Sequence, residues 1–188
     1  MSTTTIPTRR WTRREYDRLV RLGMLREDEP VELIAGRLIV AEPQNEAHAR
    51  AIELAAETLR VAFGPGWRVR VQLPLALGNN SEPEPDIAVV SGTPRDAGHP
   101  RSAALVLEVA DWSLRLDRLA KASIYARAGI ADYWVVNLVD RVLEVHRDPV
   151  AAGRRGWKYG DVRVWVAGAR VAPLAAPTAS IAVDDLLP

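Results

Sequence analysis

The chain has 188 residues, 48% of them hydrophobic, with a net charge of +1. This is enough for one domain with a substantial core and short for two, so a single domain over residues 1–188 is expected. The absence of cysteine excludes disulfide frameworks and thiolate metal sites, and the near-neutral balance gives no global attraction to nucleic acid.

The N-terminal segment lacks the apolar core of a signal peptide, and no later run approaches a membrane span. A soluble cytoplasmic protein with no membrane partner is therefore expected. Arg9, Arg10, Arg13, Arg14, Arg18 and Arg21 concentrate positive charge near the start, as a basic patch or simply a solvated helix face. Thr12 and Glu15 form a T-x-x-E capping box, which predicts a helix from about 13 to 22 ending at Gly23. "VELIAGRLIV" predicts a hairpin about Ala35-Gly36. A helical pattern from Glu46 to Phe63 places Ile52, Ala55, Ala56, Leu59 and Phe63 on one face, with "GPG" as its stop. "WRVRVQLPLAL" alternates as a strand, and "GNNSEPEP" is the loop after it. Short strands follow at 86–90 and 104–109, then a helix from about 115 to 128 closed by Gly129. "DYWVVNLVDRVLEVHR" predicts two strands around Val139-Asp140, and the remainder further strands with an Ala/Pro-rich edge. The order implies an α/β mixture built around one sheet.

Two carboxylates sit where they need partners. If strands 86–90 and 104–109 are antiparallel neighbours, the start of the first lies beside the end of the second, and Asp86 meets Glu108. An oxygen-only pair of this kind suits Mg²⁺ or Mn²⁺. The plainer alternatives are a turn cap for Asp86 and a solvent-facing or arginine-paired strand residue for Glu108. Of 25 basic residues only Lys121 and Lys158 are lysine. Lys121 falls near the centre of the apolar face of its helix, although Leu116 and Leu119 disturb the wheel. Its ammonium either pairs with Asp117 one turn earlier or points down to Asp86 and Glu108, where it would steady a phosphate or a nucleophilic water. His48 shares the apolar stripe of the 46–63 helix, where a structural hydrogen bond is the default reading, and Glu32 lies in the hairpin, where the default is plain surface.

"ELIAGRLIV", the His48 helix, "EPDIAVV", "LVLEV", "DRLAKASIYARAGIADYWVVN", "VLEVHR" and the terminal "TASIAVDDLLP", in that order, resemble the Uma family, labelled putative restriction endonucleases, of the PD-(D/E)XK nuclease superfamily. The resemblance covers essentially the whole chain. It implies a restriction-endonuclease-like α/β core of helix, three-stranded meander, helix and strand, with an added N-terminal helix and hairpin and C-terminal strands. It further implies Mg²⁺- or Mn²⁺-dependent hydrolysis of phosphodiesters, in DNA, at a catalytic site of Asp86 and Glu108 as metal ligands, with Lys121, Glu32 and His48. Two positions depart from the pattern. The lysine expected two residues after the glutamate is Ala110, which points to Lys121 as its migrated replacement. The Ser-Pro-Ser stretch that usually follows the glutamate reads "ADWS" here. A homodimer or higher homo-oligomer is expected, since duplex cleavage needs two active sites. The alternatives are a catalytically inactive nuclease-like module binding nucleic acid or protein, and a metal hydrolase of a small phosphoester, which would need a closed pocket.

Overall fold

A computed structural model describes residues 8–26, 30–41, 43–93, 95–153 and 156–188. Helix α1 (Arg13–Arg21) starts at the capping box, with Thr12 and Glu15 each satisfying the other's backbone N–H. The hairpin of β1 (Val31–Ile34) and β2 (Arg37–Val40) turns at Ala35 and Gly36, both at positive φ (48° and 79°), the mirror-image turn that matches strand twist. At α2 (Glu46–Phe63) the Asn45 side chain caps the N-terminus by accepting from the His48 N–H at 2.9 Å. The apolar face expected for α2 is buried along its whole length.

The central sheet runs β3 (Trp67–Val71), β4 (Ile87–Ser91), β5 (Leu105–Ala110), β6 (Asp132–Asn137), β7 (Val142–Ala151) and β8 (Trp157–Trp165), hydrogen-bonded in that order. All neighbours are antiparallel except β5 and β6, whose parallel pairing requires a crossover. The crossover is helical: α3 (Leu114–Leu116), a π turn (Asp117–Lys121) and α4 (Ala122–Arg127). One face of the sheet packs under α2 and the C-terminal segment, which contains β9 (Arg170–Val171), β10 (Ile181–Ala182) and a 3-10 turn (Val183–Leu186). The opposite face lies under the hairpin and α4. Alternation along β5 therefore sends Leu105, Leu107 and Val109 to the α2 side, and Val106, Glu108 and Ala110 to the hairpin side.

Two sequence expectations need correction. The strand expected through "WRVRVQLPLAL" stops at Val71, because Gln72 adopts φ 49° and Pro74 has no N–H for a ladder; Leu73 is left exposed. The helix expected as regular from 115 to 128 begins at Leu114 and contains the π turn, whose extra residue shifts the side-chain register. Among the described residues no helix is long and apolar enough to cross a membrane.

Candidate active site

β4 and β5 pair with Ile87 opposite Leu107 and Ala88 opposite Val106, so one further step of that register sets Asp86 opposite Glu108. Asp86 Oδ2 accepts the Val109 N–H at 2.8 Å, and the Asp86 N–H lies 3.4 Å from Glu108 Oε2. These bonds clamp the two acids to one end of the sheet. From α2, on the other side of the sheet, His48 reaches around that end and brings Nε2 within 3.4 Å of Asp86 Oδ2. The turn at Gln72 that ends β3 directs its amide to Asp86 Oδ1 at 3.5 Å.

The crossover helix supplies the cation. Asp117 and Lys121, four residues apart in the π turn, share its inward face and are both buried, while Leu119 between them points the other way and is 61% exposed. Lys121 Nζ lies 3.1 Å from Glu108 Oε1, 3.5 Å from Glu32 Oε1 and 3.9 Å from Asp117 Oδ1. It points to the sheet end, and the pairing with Asp117 is the longest of the three contacts. One turn on, the Tyr125 hydroxyl donates to Glu108 Oε1 at 2.6 Å. Ala110 lies fully buried on the same face of β5, so the ammonium enters this layer from the helix instead of from the strand.

Burial alone would lower the Lys121 pKa, but Glu108, Glu32 and Asp117 outweigh it and hold the pKa above the ordinary lysine value, so the ammonium carries its charge. Burial pushes the Glu108 carboxyl well up, against the pull of Lys121, with Asp117, Asp86 and Glu32 adding to the rise. The Asp117 carboxyl is likewise pushed up to about 6 by burial, despite Lys121 and the Ser113 hydroxyl. Four carboxylates thus surround one ammonium. Glu32 Oε2 is buried and, among the described residues, meets no hydrogen-bond donor.

These groups open onto a cleft of ≈ 1060 Å³, walled by the hairpin on one side and by the crossover helix and the start of α2 on the other. Asp86, Glu108, Lys121, Glu32 and His48, drawn from five separate elements or their flanks, all line it. Sequence reasoning missed Gln72 and Glu84, which also line the cleft, and gave no site role to Tyr125. Tyr125 was within reach, being one turn from Lys121 on the same apolar face; Gln72 carries no signal, because only the break in β3 aims it. Near the N-terminus, Arg9, Arg10 and Arg13 are engaged with Glu15, the Ala35 carbonyl, and the Gly78 carbonyl and Glu82, leaving Arg14, Arg18 and Arg21 on the exposed face of α1.

The model of the Uma2 family, described as "Putative restriction endonuclease", matches residues 13–183. No curated protein matches the chain. Among solved structures, the fold is similar to that of a putative nuclease belonging to DUF820 from Anabaena variabilis ATCC 29413. The TM-score is 0.67 at 16% identity, covering 89% of this chain and 96% of that one. At that identity the likeness speaks for the fold, a restriction-endonuclease-like mixed sheet, and leaves the chemistry to the residues. With a family match that runs from α1 to the C-terminal 3-10 turn, the chain belongs to the Uma2 family of putative restriction endonucleases.

Proposed function

We propose that the protein is an endonuclease that uses Mg²⁺ or Mn²⁺ to hydrolyse phosphodiesters in DNA, acting in the cytoplasm. One observation carries this reading: Lys121 Nζ stands 3.1 Å from Glu108, beside Asp86, at the floor of an open cleft. The donor set fits a hard cation. It consists of carboxyl oxygens, and one buried oxygen among them, Glu32 Oε2, meets no donor among the described residues. Mg²⁺ keeps waters and takes one or two carboxylates plus substrate phosphate oxygens, so the Asp86 and Glu108 pair is a sufficient protein contribution.

Asp86 and Glu108 would hold the ion, which when bound supplies charge neutralisation and a more acidic water. The protein's own groups do the rest. Tyr125 and the Val109 N–H fix the two carboxylates, so little reorganisation is needed when substrate arrives. Lys121, held charged, donates to a non-bridging phosphate oxygen, where negative charge builds as water adds to phosphorus. The attacking water gives its proton up to bulk solvent through the open cleft, one P–O ester bond breaks, and the leaving oxygen takes a proton from solvent in return. His48, 3.4 Å from Asp86, orients that carboxylate from the opposite wall.

The test is incubation of supercoiled plasmid and of oligonucleotides with purified protein. Nicking should require Mg²⁺ or Mn²⁺ and stop with EDTA. A clean preparation that cleaves no nucleic acid with either ion would favour an inactive binding module. Cleavage of small phosphoesters alone would point to a different hydrolase.

We further propose a homodimer formed through β8. This long edge strand exposes Val162 and Val164 on one face, and it carries Asp161 and Arg163 on the other. Antiparallel pairing of two copies centred on Val162 sets each Asp161 opposite the partner's arginine at 163, a self-complementary charge pattern. Light scattering should give twice the chain mass, and Val164→Lys should shift it to the monomer. A wild-type monomer over a wide concentration range would refute the interface.

A further inference from the structure

Trp112 is 79% exposed, the most exposed aromatic side chain among the large hydrophobics, and it lines the mouth of the cleft four residues beyond Glu108. It sits in the short segment between β5 and the crossover helix. An indole left in water forfeits a large apolar burial, unless something covers it in use. Its loop is also tied on both sides. The Asn45 amide donates to Asp111 Oδ2 at 2.7 Å, and the Ser113 hydroxyl donates to Asp117 Oδ2 at 2.5 Å. The backbone that presents the indole is therefore anchored to α2 in one direction and to the buried acid cluster in the other.

Other exposed apolar side chains line the same cleft, Leu119 at 61% on the crossover helix and Val40 at 52% on the hairpin, alongside the polar Asp111 and Gln44, and Arg115, also exposed, is the cation three residues along. A duplex presents phosphates and sugars outward, with its bases stacked inside, and finds little to bind on exposed indole and alkyl groups. An unpaired nucleotide offers a flat π face for the indole and a phosphate for the guanidinium. We propose that the substrate is single-stranded or locally unpaired nucleic acid: one base stacks on Trp112, its strand phosphate meets Arg115, and the adjoining phosphodiester enters the floor at Glu108 and Lys121. This rests on the nuclease reading and narrows its substrate.

The experiment is fluorescence anisotropy of a labelled mixed-sequence single strand and of the blunt duplex of the same sequence, in EDTA and in Ca²⁺. The proteins are full-length wild type, Trp112→Ala and Trp112→Phe. Wild type should prefer the single strand. Trp112→Ala should lose about tenfold in affinity for it, Trp112→Phe should keep most, and weak duplex binding should not change. Equal single-strand affinity in wild type and Trp112→Ala, or a wild type that prefers duplex, overturns the proposal and leaves the nuclease reading standing. If the alanine variant instead dissociates into monomers with strand binding unchanged, Trp112 is a contact between copies and the proposal fails. A wild type that binds neither strand nor duplex in either buffer removes both readings together.

Discussion

Replacing Lys121 by alanine is expected to lower metal-dependent nicking by about 10³-fold or more and to destabilise the protein by about 3–5 kcal/mol at neutral pH. The catalytic loss follows from removing the cation best placed to meet charge on the phosphate. The stability loss follows from what the ammonium leaves behind: Glu108, Glu32 and Asp117, all buried, with an uncompensated charge among them. The deficit should depend on pH in a defined direction. A buried carboxyl whose folded pKa exceeds its unfolded value binds its proton more tightly in the native state. Its contribution is complete below the unfolded pKa and is lost as pH rises through the folded one. Asp117 already sits at about 6 with the ammonium present, against an ordinary value of 3.8, and without Lys121 it must rise further. Denaturant melts of wild type and Lys121→Ala should therefore differ less at pH 5 than at pH 8. An equal difference at both pH values would mean that Lys121 does not neutralise this cluster. Lys121→Arg should remain inactive, because a longer, planar guanidinium cannot occupy the same point. The Lys121→Met, Glu108→Gln double variant should recover much of the stability and none of the activity.

The second large effect is on metal binding. Calorimetric titration with Mn²⁺ should give one clear binding event in wild type and none in the Asp86→Asn, Glu108→Gln double variant, with nicking reduced by at least about 10²–10³-fold. The amides keep the size of the acids. Tyr125 can still donate to the new carboxamide oxygen, and the Val109 N–H to the one at 86, so the sheet end should hold its shape. What disappears is the pair of anionic oxygens that a hard cation requires. Unchanged Mn²⁺ affinity in a folded double variant would move the metal site elsewhere.

Much of the local architecture was legible because it rests on short-range chemistry. The α1 capping box, the buried face of α2, the hairpin about Ala35-Gly36 and the alternation of β5 each follow from neighbouring residues and their periodicity. The antiparallel pairing of β4 and β5, once assumed, brought Asp86 to Glu108 without further information, because strand register is a matter of counting. Membership of the family was readable for the same reason, as an order of short motifs along the chain.

Other features have no local cause. Pro74 signals that β3 cannot run on, but nothing near Gln72 in the sequence shows that the chain turns left-handed there and sends an amide to Asp86. The π turn at Asp117–Lys121 carries Lys121 to a cluster of acids that come from β1 and β5 as well as the helix itself. Position 121 as the place of the cation beside Asp86 and Glu108 was a suggestion of the helical wheel, and the direction of its side chain was decided by packing between the hairpin and the sheet. The sequence by itself determined the elements and the two carboxylates, since hydrogen bonding and periodicity act within a few residues. Only the tertiary structure decided that Glu32, His48, Lys121 and Tyr125 converge on them, because burial and the attraction between buried charges act across elements far apart in the chain.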